Sequence, residues 1–230
     1  MTPAPPMATP RRIATATLIT AGIVGAVQIT VISLTLAVTR TGFDMRRHAN
    51  SQLVLGDWGW IQTVDFIVFG LLMMAAAIGT ARVSRPSRAG LIAAAGVFGY
   101  GLGAGVIVGF NPTDPAFGFP PGTPAVYAGY DQISTSARIH GVAGMVGFLA
   151  MTTACFAFAR YFAGVRRTGW SVASAAMGAA VVVVCGLLGA SASAATDQFD
   201  FRPTWAVGAA LWLYVGAVCV RLRQDAQDAR

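Results

Sequence analysis

The chain has 230 residues and contains no lysine and no glutamate: its sixteen cations are all Arg and its nine acids all Asp. With the excess of Ala and Gly, this is the pattern expected of a GC-rich bacterial genome. Charged residues make up only 11% of the chain, against roughly 25% in a soluble domain. Histidine occurs twice, as His48 and His140, too sparse for paired-His haem ligation. The three cysteines, Cys155, Cys185 and Cys219, all fall in apolar stretches. An odd number at membrane depth argues against a disulfide framework, and buried Cys behaves as a small hydrophobe. There is no phosphate-binding loop, nucleophile elbow, zincin motif or dinucleotide fingerprint. Those absences weaken the familiar enzyme classes and imply no cofactor and no metal. An intramembrane enzyme assembled from scattered residues is still compatible with them.

What the chain does have is long apolar runs. It is 55% hydrophobic, with a mean hydropathy of +0.63. About 20 apolar residues cross a bilayer as a helix, and the runs at 13–38, 60–81, 89–110, 139–163, 170–195 and 204–222 each qualify. The predicted fold is all-α: a polytopic integral membrane bundle of six transmembrane helices in a single domain, 13–222. A Pro-rich tail, 1–12, is expected to be disordered, and 223–230 forms a second tail. The first run is longer than the 7–15 residues of a signal-peptide core, so it is expected to be retained.

The pI of about 10.2 could suggest nucleic acid as a partner, but the arginines sort by membrane side instead. Arg11, Arg12, Arg82, Arg85, Arg88, Arg160, Arg166, Arg167, Arg221, Arg223 and Arg230 fall at the termini and in two loops. Arg40, Arg46, Arg47, Arg138 and Arg202 fall in the others. This bias predicts that both termini are cytoplasmic, in a bacterial cytoplasmic membrane, with secondary attraction to anionic headgroups. No nucleic-acid partner is expected.

The segments predicted to be external, 39–59, 111–138 and 196–203, hold most of the polar variety. Segment 109–124 contains five Pro and three Gly, which excludes a continuing helix and suggests a shaped cap. Its Phe110, Phe117 and Phe119 are expected to fold onto the bundle mouth. Asp114 is its one charge, and it either belongs to a structural lid or points into a site. Asp65 lies about five residues inside the second span, roughly 8 Å below the helix start. A charge there is costly and faces the bundle interior or a cavity, and Gln62 shares its face. It is either a paired structural group or a proton, cation or base site. His140, just after Arg138, is a packing residue or a general base. Asp197, Asp200 and Arg202 can form an ion-pair network with Arg138 or Arg47. Gly101, Gly105 and Gly109 repeat every four residues, the spacing of close helix packing. Gly141, Gly144 and Gly147 continue the theme on the fourth span. The five Trp residues lie near span ends, as aromatic belts do.

Several of these elements together resemble a known family. They are Leu55-Gly-Asp-Trp-Gly-Trp-Ile-Gln62, the cap Asn111-Pro-Thr-Asp-Pro-Ala-Phe-Gly-Phe-Pro-Pro-Gly122, and Arg138-Ile-His-Gly141. The chain is similar over about 13–222 to the six-span bacterial membrane family catalogued as "domain of unknown function 998". That resemblance implies a six-helix integral membrane protein and carries no activity. A more distant likeness, of fold alone, is to six-span Frag1/DRAM/Sfk1-type proteins.

Three functional expectations follow. The first is binding or movement of a lipid or small amphiphile at an outward-facing polar site made by Gln62, Asp65, Asp114, Arg138, His140, Asp197 and Arg202. The second is a structural or accessory role beside a protein partner. The third is an intramembrane hydrolase or lipid-modifying enzyme in which His140 works with Asp114 or Asp197. Membrane lipids are partners in every case.

Overall fold

The computed structural model describes residues 10–125, 132–193 and 200–228. It contains six long helices: α1 (Pro10–Thr39), α2 (Gly59–Ser84), α3 (Arg88–Phe110), α4 (Thr135–Gly164), α5 (Thr168–Ser193) and α6 (Arg202–Asp228). All six are long and apolar enough to cross a membrane, so the protein is a multi-pass membrane protein. A short 3-10 turn, Asn50–Val54, precedes α2.

Helices α3 and α4 each start where a serine satisfies a free N–H group of the first turn. Ser87 accepts from the Gly90 N–H at 3.3 Å to open α3. Ser134 accepts from the Ala137 N–H at 3.1 Å, so α4 begins a full turn earlier than hydropathy predicts. His140 therefore lies inside the helix, and it is buried.

The helices follow one another around the bundle. α1 packs on α2, α2 on α3, α3 on α4 and α4 on α5, while α6 returns to lie against α1. The ring closes only lightly between α5 and α6. Lipid removes the hydrophobic drive between helices, so small residues and polar contacts must hold them together. α3 illustrates this on two faces. A Cβ on Gly101 would lie 2.6 Å from the Gly70 carbonyl oxygen, and one on Gly105 would lie 2.5 Å from Gly70 Cα. A Cβ on Gly109 would meet the Ile67 side chain at 2.6 Å. The other face meets α4, where Gly103 would strike the Ala143 carbonyl oxygen at 2.6 Å. A π-helical stretch, Gly101–Ile107, lies at this double contact. Such stretches shift the register of a helix, and this one buries Gly101, Gly103 and Gly105 together.

The ends of α1 and α3 and the starts of α2, α4 and α6 gather at one end of the bundle, beneath the Pro-rich cap. The opposite end carries the arginine-rich turns. Two sequence expectations are corrected at the capped end. Phe119 is buried and Phe117 meets Phe201 edge-on, but Phe110 is 67% exposed on the outside of α3. Trp58 and Trp60 are exposed as belt residues are, whereas Trp205 and Trp212 are buried and donate internal hydrogen bonds. The Trp205 indole reaches the His48 carbonyl at 2.9 Å, and Trp212 reaches the Tyr100 hydroxyl at 3.2 Å.

Candidate functional site

Asp65 is fully buried at the α1–α2 interface, where two amides neutralise the cost of its position. Gln28 donates to Oδ1 at 2.8 Å and Gln62 donates to Oδ2 at 3.2 Å. Ser33 lies within 3.1 Å of the Gln62 amide nitrogen and donates to Gln62 Oε1 at 3.3 Å. One carboxylate, two amides and a hydroxyl thus form a closed cluster between two helices. Gln62 and Asp65 meet as their three-residue spacing predicts. Gln28 and Ser33 were not anticipated; the signal was an isolated amide in the otherwise apolar run of α1.

The cap follows a different logic. Proline has no N–H, so a Pro-rich segment offers more carbonyl acceptors than donors, and buried carbonyls need partners. Side chains supply the donors. Gln52 donates to the Ala116 carbonyl at 3.1 Å, and Ser136 donates to the Pro112 carbonyl at 2.9 Å. His48 Nδ1 accepts from the Asp44 N–H at 2.8 Å. The proton is therefore on Nε2, which donates to the Phe117 carbonyl at 3.0 Å. His140 Nδ1 donates to the Asn111 carbonyl at 2.7 Å. Both histidines of the chain thus serve as donors to cap carbonyls. Phe117 holds φ at 58°, a left-handed conformation uncommon for a side-chain-bearing residue. The His48 bond fastens its carbonyl there.

Rings and charge complete this lock. The His48 ring lies 5.1 Å from Phe43 and 5.4 Å from Phe119. The Arg40 guanidinium sits 5.3 Å over Phe119 and donates to the Leu53 and Leu55 carbonyls at 3.2 and 2.6 Å. Burial pulls His48 below the ordinary imidazole pKa; the Phe117 carbonyl opposes the shift, Arg47 adds to it and Asp44 opposes it. Burial likewise lowers Arg40, against the attraction of Asp57.

The hydrogen bonds described for the remaining sequence candidates do not link them to one another beyond the Asp200–Arg202 pair. Asp114 accepts from the Ser134 N–H at 2.8 Å and from its hydroxyl at 2.5 Å, so it ties the cap to the start of α4. The hydrogen bonds described for His140 and Asp114 go to different partners, and none joins the two. Asp200 and Arg202 form an exposed pair at 2.6 Å, and these hydrogen bonds hold the Asp200 carboxyl down at about 2. Arg138 lies on an exposed face of α4. Asp197 lies outside the described residues. No described hydrogen bond connects the Gln62–Asp65 cluster with the cap. Among the described residues no three His, Cys, Asp or Glu side chains converge as a metal site would require.

Sequence reasoning gave no hint of a pocket at the seam between α5 and α6. At the arginine-rich half the two helices are pinned: the Tyr214 hydroxyl donates to Ser174 at 2.7 Å, and Arg167 pairs with Asp225 at 3.2 Å. Toward the capped half they part around a cavity of about 50 Å³. Val181, Val184, Cys185, Gly208 and Leu211 line its sides, Phe148 of α4 its floor, and Thr204 its capped end. Only 17% of the apolar window of α5 is buried, because α5 rests mainly on α4.

No curated protein and no solved structure matches the chain. The profile of a family described as "Protein of unknown function (DUF998)" matches residues 23–221. Helices α2 to α5, the larger parts of α1 and α6, and the cap fall within that match, and the protein belongs to the DUF998 family.

Proposed function

We propose that this membrane protein binds a lipid or small amphiphile, whose apolar part enters the bundle laterally between α5 and α6. The observation that carries the reading is the seam itself. Five of the six neighbouring contacts around the ring are tight, and the sixth parts around an almost wholly apolar cavity with Gly208 on its wall. Arg202, two residues before Thr204, is the candidate headgroup contact at the capped mouth. The bias of arginine in the sequence supports cytoplasmic termini and a bacterial cytoplasmic membrane, so the cap and this mouth face outward.

Cys185 gives the test, because it lines the pocket whereas Cys155 and Cys219 are buried. Protein purified in its own lipids should carry an adduct of defined mass in native mass spectrometry. That adduct should slow the reaction of Cys185 with a membrane-permeant maleimide, and Gly208→Trp should remove both the adduct and the protection. Wild-type protein without any adduct, or a Gly208→Trp variant that binds as well as wild type, would rule the reading out.

A structural or accessory role is the second reading, favoured by the polar residues themselves. Asp65, Asp114 and both histidines spend their hydrogen bonds on other parts of the chain. A ligand-free protein that purifies in fixed ratio with a second membrane protein would favour this reading.

A further inference from the structure

The arginine-rich end presents a second combination of features, independent of the α5–α6 pocket. Between α2 and α3, on the outside of the bundle, runs an apolar groove of about 360 Å³. Alanines 77, 81, 94 and 95 form its floor, and Ile78, Leu91 and Phe98 stand as its walls. From Leu91 to Phe98 the groove follows α3 for about 10 Å, at 1.5 Å per residue. It ends at the turn that joins the two helices. That turn carries Arg82, Arg85 and Arg88, all exposed. Among the described residues none of the three meets a carboxylate. At this end Asp225 is already held by Arg167 and Arg221.

The same turn is the N-terminus of α3. Ser87 satisfies the Gly90 N–H, and the Leu91 N–H reaches the Ser87 carbonyl. The N–H groups of Arg88 and Ala89 have no partner within the helix, as the first turn dictates, and the helix dipole makes this position favourable for an anion. Guanidinium groups bind phosphate through paired N–H donors. A shallow apolar groove that runs into three guanidiniums with no carboxylate partner among the described residues, and into a helix N-terminus, fits part of an acyl chain joined to an anionic phosphate.

We infer that the α2–α3 groove seats an acyl chain of an anionic phospholipid, whose phosphate rests on Arg82, Arg85, Arg88 and the first turn of α3. General attraction of basic residues to an anionic surface would need only the charges. A seated lipid needs the groove as well, and the test separates the two.

The full-length protein in detergent is titrated with phosphatidylglycerol, and separately with phosphatidylcholine, and retained lipid is read by native mass spectrometry. Wild type should retain phosphatidylglycerol preferentially. R82Q/R85Q/R88Q should weaken that retention at least about ten-fold, given the contribution of each basic residue at an anionic surface. Ala95→Trp, at an exposed groove position, should weaken it comparably with all arginines in place. Arg223→Gln, at the same end on α6, should not. Equal retention of the two lipids would overturn the inference. So would wild-type retention in Ala95→Trp, which would leave headgroup attraction alone, or an Arg223→Gln loss as large as that of the triple variant. Arg88→Gln alone should reproduce part of the loss if the triple variant does not fold, and unchanged retention in Arg88→Gln would then overturn the inference.

Discussion

The α1–α2–α3–α4 side of the bundle and the α5–α6 seam are made of similar helices, yet they are closed by different means. On the first side, backbone meets backbone at Gly70, Gly101, Gly103 and Gly105, and a buried carboxylate with two amides bridges α1 and α2. At the seam, valines and leucines face one another, and among the described residues the Ser174–Tyr214 hydrogen bond joins the helices within the apolar region. Lipid tails are as apolar as leucine, so apolar side chains alone give two helices little reason to prefer each other. Close approach and polar contact make the difference. A seam with little of either toward its capped half is where a hydrophobic ligand can compete with a helix for its neighbour.

The sharpest way to break this contrast is to put the same side chain on both sides. Gly70→Val adds a Cβ 2.4 Å from the Gly101 carbonyl oxygen and 2.7 Å from the Val106 nitrogen. Neither backbone atom can yield alone, so the variant should lose about 3 kcal/mol, the upper range of overpacking costs. The check is loss of the folded species in a denaturation series in mild detergent.

Asp65→Ala is expected next. It removes the carboxyl acceptor of both amides, leaving Gln28 only the backbone carbonyl of residue 65 and Gln62 only the Ser33 hydroxyl, and should cost about 1–2 kcal/mol, as lost buried and interhelical hydrogen bonds do. Asp65→Asn keeps the shape and one acceptor oxygen, so it should fall between alanine and wild type in the same series. An Asp65→Ala variant as stable as wild type would mean that the cluster does not hold α1 to α2.

A pH-dependent effect should appear at the cap rather than at the seam. His48 has its pKa lowered by burial, while in the unfolded chain it titrates near about 6.5. The neutral ring therefore contributes its stability fully above that value. The contribution declines as pH falls through the folded value, because the unfolded state then binds the proton more readily. Protonation would also remove the acceptor used by the Asp44 N–H. Hydrogen exchange around Phe117–Phe119 should accelerate on acidification, and His48→Gln should flatten that response.

The smallest stability change is expected at the seam. A Cβ on Gly208 meets nothing within 4 Å, so Gly208→Val should lie within about 0.5 kcal/mol of wild type. Its effect should appear instead in ligand retention, since Gly208 lines the pocket. A loss comparable to Gly70→Val would show that the seam is packed as tightly as the other interfaces.

The six apolar runs, their length and the glycine spacing of α3 were all legible without coordinates, because bilayer thickness and helix periodicity constrain the sequence directly. The pairing of Gln62 with Asp65 was also legible, since three residues on a helix fix a shared face. Gln28 and Ser33 were not, because an amide in an apolar run does not say which neighbouring helix it meets. The cap could be read as non-helical from its prolines, but the donors its carbonyls use could not. That His48, Gln52, Ser136 and His140 supply those donors depends on the α1–α2 segment and the start of α4 both arriving at the cap. Phe110 was misjudged for a related reason: its position on α3 turns it outward, while Phe119, beyond the turn, points in.

What the sequence determined by itself was therefore the solvent, the helix count and the residues with a polar group to satisfy, because burying such groups in lipid has a cost that no arrangement escapes. Only the tertiary structure decided which of those groups meet, and that Asp65 and His140 belong to separate clusters rather than one mouth. It also decided that the bundle is loosest between α5 and α6. Contacts between helices distant in the chain depend on packing angles and register, which local periodicity does not encode.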